Sequence, residues 1–373
     1  MRVFFEAVLM LAGMIIGVGM FAIPFSFAAA GFWLGAAELA VLAMAVLALH
    51  VLYGEIVLAT PQYHRMPGYI RTYLGRGAAG VSWASTLAGT IGTLLAYIIV
   101  GSLFLEILLS RVAPNISAGG LALALAVAVC AITFFPFRKE AAINGLLTIF
   151  EIAFIALLAL YLLPDVSLPH LSGIYPERMW APYGVLLFAL TGASVIPDMA
   201  TLLGRNKKKV RTAIVAGSLI PPALYFLFAF GVVGVSGPAT SEEAIAGLGS
   251  MLGHRIVLWG SAAGLLAVLT SYIALSENFQ ALLALDMGLQ RRAAWITASV
   301  IPYAAYLAGF QNFIAIISVV GVLAFAVDGT LFLMMGRKIR KKEGTALSLR
   351  AVAGYVVFAA IVVGVLAELA RTL

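Results

Sequence analysis

Long apolar stretches, separated by short segments rich in polar residues, proline and glycine, run through almost the whole chain of 373 residues. Most of them approach or exceed the roughly 20 residues that an α-helix needs to cross a bilayer. The pattern therefore predicts eleven membrane-spanning helices. Their predicted positions are residues 4–30, 32–59, 79–109, 118–135, 141–163, 182–203, 210–235, 255–285, 293–309, 312–336 and 348–370.

The first predicted span holds an unusual sequence, Gly-Met-Ile-Ile-Gly-Val-Gly-Met-Phe-Ala-Ile-Pro, at residues 13–24. Three glycines and a closing proline weaken a continuous helix at this point. Unwound backbone is tolerated inside a membrane only where protein buries it or where it lines a cavity. Its free N–H and C=O groups can then hold a ligand. The alternative is that the glycines only let neighbouring helices pack closely.

The sixth predicted span contains a second candidate break. The residues Thr-Gly-Ala-Ser at 191–194 are small or poor helix formers, and Pro197 after them suits the first turn of a restarted helix. Asp198 follows at a place where the helix dipole favours a negative charge. Taken alone, this sequence is also compatible with an ordinary proline kink packed by small residues.

The two candidate breaks stand at related positions. They lie in spans 1 and 6, which are the first helices of two sets of five, spans 1–5 and spans 6–10. The two sets run through the membrane in opposite directions. Interrupted helices at corresponding positions of two halves are the best sequence indicator of a transporter's midplane binding site. We therefore predict an all-α polytopic membrane protein with a 5+5 inverted repeat, broken helices 1 and 6, and one extra C-terminal helix. It is a single transmembrane domain, 1–373, with repeats at 1–163 and 164–337 and helix 11 within 338–373.

Composition and charge narrow the class of protein. With 63% hydrophobic and only 10% charged residues, the chain lacks the polar surface of a soluble globular domain. If the N-terminus is cytoplasmic and the C-terminus outside, all but four of the 23 basic residues fall in cytoplasmic segments. This distribution of basic residues orients the chain in the cell (inner or plasma) membrane and accounts for the net charge of +7. No nucleic-acid partner is therefore expected. The four exceptions are Arg111, Arg178, Arg255 and Arg371.

Several short sequences carry a resemblance to a known family. Residues 13–24 resemble the first-helix signature of the amino acid–polyamine–cation superfamily. Within it the chain looks most like the bacterial aromatic and hydroxy amino acid permeases, and it is similar to the eukaryotic system A and N neutral amino acid transporters. The resemblance implies the inverted-repeat fold with substrate between helices 1, 3, 6 and 8. The further matches are Tyr-Gly-Glu at 53–55 with Pro61, Tyr-Leu-Gly-Arg at 73–76, Gly192 to Met199, and Thr-Ser-Tyr at 270–272 with Asp286.

A free amino acid presents a carboxylate and an ammonium group, and the two predicted breaks offer main-chain groups for both. The restarted half of helix 1 points amide N–H groups at the cavity from its positive end, where glycines let a carboxylate approach closely. The ends of the first half-helices offer carbonyls to the ammonium. We predict amide contacts from Gly17, Val18, Gly19 and Met20, carbonyl contacts from Ala12, Gly13, Leu190 and Thr191, and a side-chain pocket lined by Ile91, Gly92, Ala193 and Ser194.

The coupling ion has several candidate ligands. In sodium-coupled members of the superfamily, a hydroxyl pair such as Thr270 and Ser271 joins carbonyls of helix 1 to hold the ion. The resemblance then implies carbonyl ligands from Gly13, Ile16 and Ala267, an oxygen set that suits a hard cation. The alternative is that both hydroxyls bond back to helix carbonyls.

Two intramembrane acids are the other coupling candidates. Glu151 lies close to the middle of span 5, and Glu277 lies about two turns beyond Thr270. A carboxyl group inside a membrane is costly and is a functional candidate by default. Neither these acids nor the hydroxyl pair separates coupling to Na⁺ from coupling to H⁺.

The predicted function is a secondary amino acid transporter, an importer of neutral or aromatic amino acids that is coupled to H⁺ or Na⁺ by alternating access. A possible bound Na⁺ is the only cofactor expected. Two alternatives stay open: a membrane sensor or receptor that binds amino acids without transport, and a metal-ion transporter of the same fold. An enzyme is not expected, because no HExxH, GxSxG or paired-acid motif occurs.

Overall fold

The computed structural model describes residues 2–110, 112, 115–134, 140–342, 362 and 364, and it contains helices but no strand in these ranges. The α-helices are α1 (Arg2–Ile15), α2 (Gly19–Ala30), α3 (Phe32–Ala59), α4 (Met66–Leu74), α5 (Arg76–Leu109), α6 (Ala118–Thr133), α7 (Glu140–Leu162), α8 (Leu168–Leu171), α9 (Ala181–Leu190), α10 (Ile196–Leu202), α11 (Lys207–Ser236), α12 (Gly249–Leu252), α13 (His254–Ala281), α14 (Arg291–Leu307) and α15 (Phe313–Lys342).

Helices or helix pairs occupy the first ten predicted spans. Seven helical segments are long and apolar enough to cross a membrane, and the bent pair of α1 and α2 makes an eighth among the described residues. The helix α6 is equally apolar but has 16 residues. The eleventh predicted span, residues 348–370, and the predicted position of the C-terminus lie outside the described ranges except for residues 362 and 364. The all-helical, multi-pass fold class is confirmed.

Both predicted breaks are present in the fold. The first helix stops at Ile15 and restarts at Gly19 with a bend of 55° between α1 and α2. In the sixth span α9 ends at Leu190, and α10 begins at Ile196 after a 3₁₀ turn at Ala193–Val195. A proline stands in the first turn of α10, where its missing N–H costs nothing because that N–H would have no helical partner.

We call the side of the membrane on which α1 begins the N-terminal side and the other the distal side. Because each span reverses the direction of the chain, α1 and α10 are the half-helices on the N-terminal side, and α2 and α9 are those on the distal side. The turn between α2 and α3 requires Gly31, whose φ is +102° and whose position leaves no room for a Cβ against the carbonyl of Gly173.

Long helices enclose the two broken ones. The helix α11 contacts α1, α2, α3 and α7, while α5 packs against α13 and α15. On the distal side the ring of Phe21 packs edge-on against Phe104 of α5 at 5.1 Å and against Phe228 of α11 at 6.5 Å. Aromatic packing therefore surrounds α2 on both flanks.

Candidate functional site

The break in the first span leaves main-chain donors between two helices. The N–H of Ile16 donates to Ala12 as the last bond of α1 (2.8 Å), and the N–H of Met20 donates to Gly17 as the first bond of α2 (3.1 Å). The amides of Gly17, Val18 and Gly19 lie between these bonds and have no backbone acceptor within the described part of the chain. These three predicted contacts therefore have free N–H groups, whereas the N–H of Met20 is already bonded.

The three glycines of this break have different surroundings. A Cβ at Gly13 would collide with the side chain of Thr148 on α7, so Gly13 lies where α1 packs closely against α7. A Cβ at Gly19 would come within 2.8 Å of Phe188 and 3.1 Å of Ala189 on α9. Only Gly17 has room, because the nearest neighbour of a Cβ added there would be the hydroxyl of Tyr97, at 3.5 Å. The packing interpretation thus holds for Gly13 and Gly19.

The two breaks touch each other. A Cβ at Gly192 would lie 2.5 Å from Cγ1 of Ile15, the last residue of α1. Beside it the backbone N–H and the hydroxyl of Thr191 both donate to the carbonyl of Phe188, at 3.3 and 2.8 Å. Leu190 is buried, Ala193 is half-buried, and Ser194 is exposed. The absence of a side chain at Gly192 therefore lets Ile15, at the end of α1, pack directly against the second break.

A narrow gap, without room for a water molecule, lies between the break of the first span, α7 and α13. The carboxyl group of Glu151 is buried in it and accepts a long hydrogen bond of 3.4 Å from the hydroxyl of Ser271. The hydroxyl of Thr270 donates back to the carbonyl of Ala267 at 2.9 Å, as the alternative to ion binding predicts for this one of the two hydroxyls. The gap is lined by Ile16, Gly17, Val18, Met20, Phe21, Glu151, Ala267, Val268 and Ser271.

This gap brings together most of the predicted ion ligands. Three of them, Ile16, Ala267 and Ser271, line it directly, and Glu151 adds a carboxylate from α7. Gly13 packs one turn away, against the same helix. The described lining does not include Glu277, which lies further along α13. Of the two predicted acids, Glu151 is the one in the described lining of this gap.

The helix α5 meets the break through a residue that was not predicted. Gly92 packs against Val320 of α15, and the half-buried Ile91 is its neighbour in the chain. The side chain that reaches Gly17 belongs to Tyr97. A signal exists in the sequence, because Tyr97 carries the single hydroxyl in the run from residue 94 to 100.

On the N-terminal side, polar groups hold α10 in place. The hydroxyl of Tyr63 donates to the carboxylate of Asp198 at 2.7 Å. One nitrogen of the Arg205 guanidinium donates to the carbonyls of Val57 (2.7 Å), Leu58 (3.2 Å) and Thr60 (2.6 Å) at the end of α3. Partial burial and the neighbouring carboxylate raise the pKa of Tyr63 to about 12, so it remains a donor at neutral pH.

The family model of the tryptophan/tyrosine permease family matches residues 1–371. The chain belongs to the tryptophan/tyrosine permease family. It is a multi-pass membrane protein and a secondary transporter of a small molecule, not an enzyme, which confirms the predicted family and transport class. No curated protein shows a significant match to this permease.

Solved structures share the fold of this permease at low sequence identity. MhsT in complex with L-phenylalanine has a TM-score of 0.68 at 14% identity and covers 97% of this chain and 98% of its own. An Eremococcus coleocola manganese transporter, in complex with an aromatic bis-isothiourea compound, has a TM-score of 0.66 at 12% identity, with coverages of 98% and 85%. The inward-facing conformation of Mhp1 has a TM-score of 0.67 at 16% identity, with coverages of 93% and 78%.

Proposed function

We propose that this permease imports neutral or aromatic amino acids and binds them at the two helix breaks. The observation that carries the proposal is the set of free amides at Gly17, Val18 and Gly19, at the positive end of α2. A carboxylate is the anion that all free amino acids share, so main-chain amides recognise the class and side chains select the member. The ammonium group would meet carbonyls at the ends of α1 and α9, including those of Gly13 and Leu190.

The neighbours of this fold bind chemically different solutes, since one is complexed with L-phenylalanine and another is a manganese transporter. The family match favours an amino acid for this chain. The described residues contain no cluster of three His, Cys, Asp or Glu side chains, so no observation favours the metal-ion alternative.

The coupling ion is proposed to act at the gap beside the first break. Carbonyls of Gly13, Ile16 and Ala267 and hydroxyls of Thr270 and Ser271 are hard oxygen donors that suit Na⁺. The carboxyl group of Glu151 can instead take up and release H⁺ there, or add a sixth oxygen to the cation. Either ion would lie against Ile16 and Gly17, next to the proposed carboxylate site, so binding of ion and substrate would be coupled.

The protein is proposed to lie in the inner or plasma membrane of the cell. In the proposed orientation its N-terminal side faces the cytoplasm. This orientation rests on the distribution of basic residues, which concentrates Lys and Arg in the segments on that side. A cysteine introduced next to Arg65, in the segment between α3 and α4, should therefore react with an impermeant maleimide only after the cells are opened.

Uptake into proteoliposomes tests the proposed function. Purified protein is offered radiolabelled L-tryptophan, L-tyrosine, L-phenylalanine, L-serine and L-glutamine, with Na⁺ and H⁺ gradients imposed separately. We expect accumulation of at least one of them under one of the two gradients. Binding without accumulation would support the sensor alternative, and accumulation of Mn²⁺ alone would support the metal-ion alternative.

The ligand set of the ion has its own test. The double substitution Thr270→Ala with Ser271→Ala should weaken Na⁺ dependence if Na⁺ is the coupling ion. Unaltered ion dependence of the double variant would exclude the hydroxyl pair and leave the carboxyl group of Glu151 as the candidate.

A further inference from the structure

The helix α11 carries a tyrosine whose hydroxyl lies between the two breaks. Tyr225 is fully buried, and its hydroxyl is 2.8 Å from the carbonyl oxygen of Ile15 and 3.1 Å from that of Ala189. Ile15 is the last residue of α1, and Ala189 is the next-to-last residue of α9. One side chain on a third helix therefore contacts the C-terminal end of both half-helices that lead into the breaks.

These two helix ends need a donor. The last four carbonyls of a helix have no donor within it, and the C-terminal end of a helix carries roughly half a negative charge. In an unbroken helix the carbonyl of Ile15 would accept from Gly19, but the described hydrogen bonds contain no such contact. Two like partial charges converge here, away from water, where an unpaired carbonyl is costly.

The geometry gives Tyr225 one proton for two acceptors. A phenol donates a single hydrogen, and both distances are within hydrogen-bond range, so the two carbonyls share it. If α1 or α9 moves away, the hydroxyl keeps its bond to the other helix. The contact can therefore persist on one helix while the other moves.

We propose that Tyr225 is a positioning residue of the transport site, which fixes the ends of α1 and α9 at the spacing that substrate binding requires. The inference rests on the proposed function, because the spacing matters only if the two breaks bind one solute. It also implies that the carbonyls of Ile15 and Ala189 are satisfied by protein and do not contact the substrate's ammonium group.

A matched pair of substitutions tests this role. Tyr225→Phe removes the hydroxyl and both hydrogen bonds, whereas Tyr53→Phe removes an equally buried hydroxyl that has no partner among the described residues. Equilibrium binding of radiolabelled L-tryptophan and L-tyrosine is measured with purified wild type and both variants. We expect affinity to fall about tenfold for Tyr225→Phe, as for a buried acceptor left unpaired, and to stay unchanged for Tyr53→Phe.

A second readout reports position rather than stability. Cys130 is the single cysteine, so a Cys130→Ala background with Met14→Cys places one thiol beside the first break, at a side chain that the protein leaves 43% uncovered. Substrate should slow maleimide labelling of this thiol with Tyr225 in place and should need about tenfold more substrate to do so in Tyr225→Phe. If Tyr225→Phe is less stable, the rise in melting temperature on adding L-tryptophan is compared between the proteins instead. A loss of stability that affects the ligand-free and ligand-bound forms equally does not change this rise.

The outcomes separate the two proposals. If wild type binds neither L-tryptophan nor L-tyrosine, the aromatic amino acid proposal fails and this role fails with it. If wild type binds one of them and Tyr225→Phe matches Tyr53→Phe in affinity and labelling, the role of Tyr225 is overturned and the proposed function stands.

Discussion

The distal and N-terminal halves of the two broken helices are held in different ways. On the distal side α2 and α9 are buried over most of their length and meet at Gly19, where no Cβ fits against Ala189. On the N-terminal side Met14 of α1 is 43% exposed, and α10 is held through the hydroxyl of Tyr63 and the guanidinium of Arg205. The distal half-helices thus pack closely against each other, whereas on the N-terminal side side-chain hydrogen bonds add to the packing that holds α10.

This difference has a physical consequence for transport. Inside a bilayer, helices are held by close packing of small residues, and separating them forfeits many contacts at once. Hydrogen bonds of partly exposed groups exchange readily with water and contribute little net free energy. We therefore expect the N-terminal side to open at a lower cost in free energy than the distal side. In the proposed orientation this is the side of release into the cytoplasm.

The largest effect is expected from disrupting the distal packing. Gly19→Leu would force a side chain between α2 and α9, where Ala189 is already 3.1 Å from a Cβ position, and it should abolish uptake and lower the yield of folded protein. The control is Gly80→Leu on α5, where no atom lies within 4 Å of a Cβ. Normal uptake by Gly19→Leu would show that the distal contact is not close-packed.

The next effect concerns the gap between the first break, α7 and α13. Glu151→Gln removes the ionisable group beside the break while keeping its shape, and it should reduce uptake driven by a pH gradient about fivefold or more if H⁺ is the coupling ion. Glu277→Gln, on a residue outside the described lining of the gap, is the control. An equal loss in both variants would argue against a specific role for Glu151.

A smaller effect is expected at the polar closure of the N-terminal side. Arg205→Ala removes a charged donor shared by three carbonyls at the end of α3, so α10 should separate more readily. In the Met14→Cys reporter, labelling without substrate should become about tenfold faster. Lys208→Ala, on an exposed residue of α11, should leave the labelling rate unchanged; an equal effect in that variant would point to surface charge rather than to the closure.

The smallest effect is expected from Tyr63→Phe. It removes one exposed hydrogen bond to Asp198, and labelling should change about twofold. The raised pKa of Tyr63, about 12, keeps the donor protonated at neutral pH. The contact is complete below the ordinary tyrosine pKa of about 10 and is lost only as the pH rises towards 12. A change in the Tyr63→Phe effect between pH 6 and 8 would contradict this assignment.

The sequence predicted the positions of both breaks because glycine and proline act locally. It did not separate the roles of the three glycines in the first span, since packing depends on what lies opposite. Gly13 faces Thr148, Gly19 faces Ala189, and of the three only Gly17 has room for a Cβ, in contact with the Tyr97 hydroxyl. Local composition cannot show which neighbour each glycine meets, although the alternative of close helix packing is correct for Gly13 and Gly19.

The tyrosines that reach the breaks show the same limit of local reasoning. Tyr225 is 210 positions from Ile15 in the chain, and its role follows from the way α11 packs between α1 and α9. Tyr97 stood out only as a hydroxyl in an apolar run. The contacts of both are set by tertiary packing, which hydropathy and turn-forming residues do not specify.

The central claim is that main-chain amides at the first break bind the substrate's carboxylate, and binding to Gly17→Leu tests it most directly. A Cβ fits at this position, 3.5 Å from the Tyr97 hydroxyl, and the rest of the leucine side chain would enter the narrow gap and cover the amides. Equilibrium binding of L-tryptophan and L-tyrosine should be lost in a variant that is expressed and monodisperse like wild type. Binding with wild-type affinity by Gly17→Leu would contradict the claim.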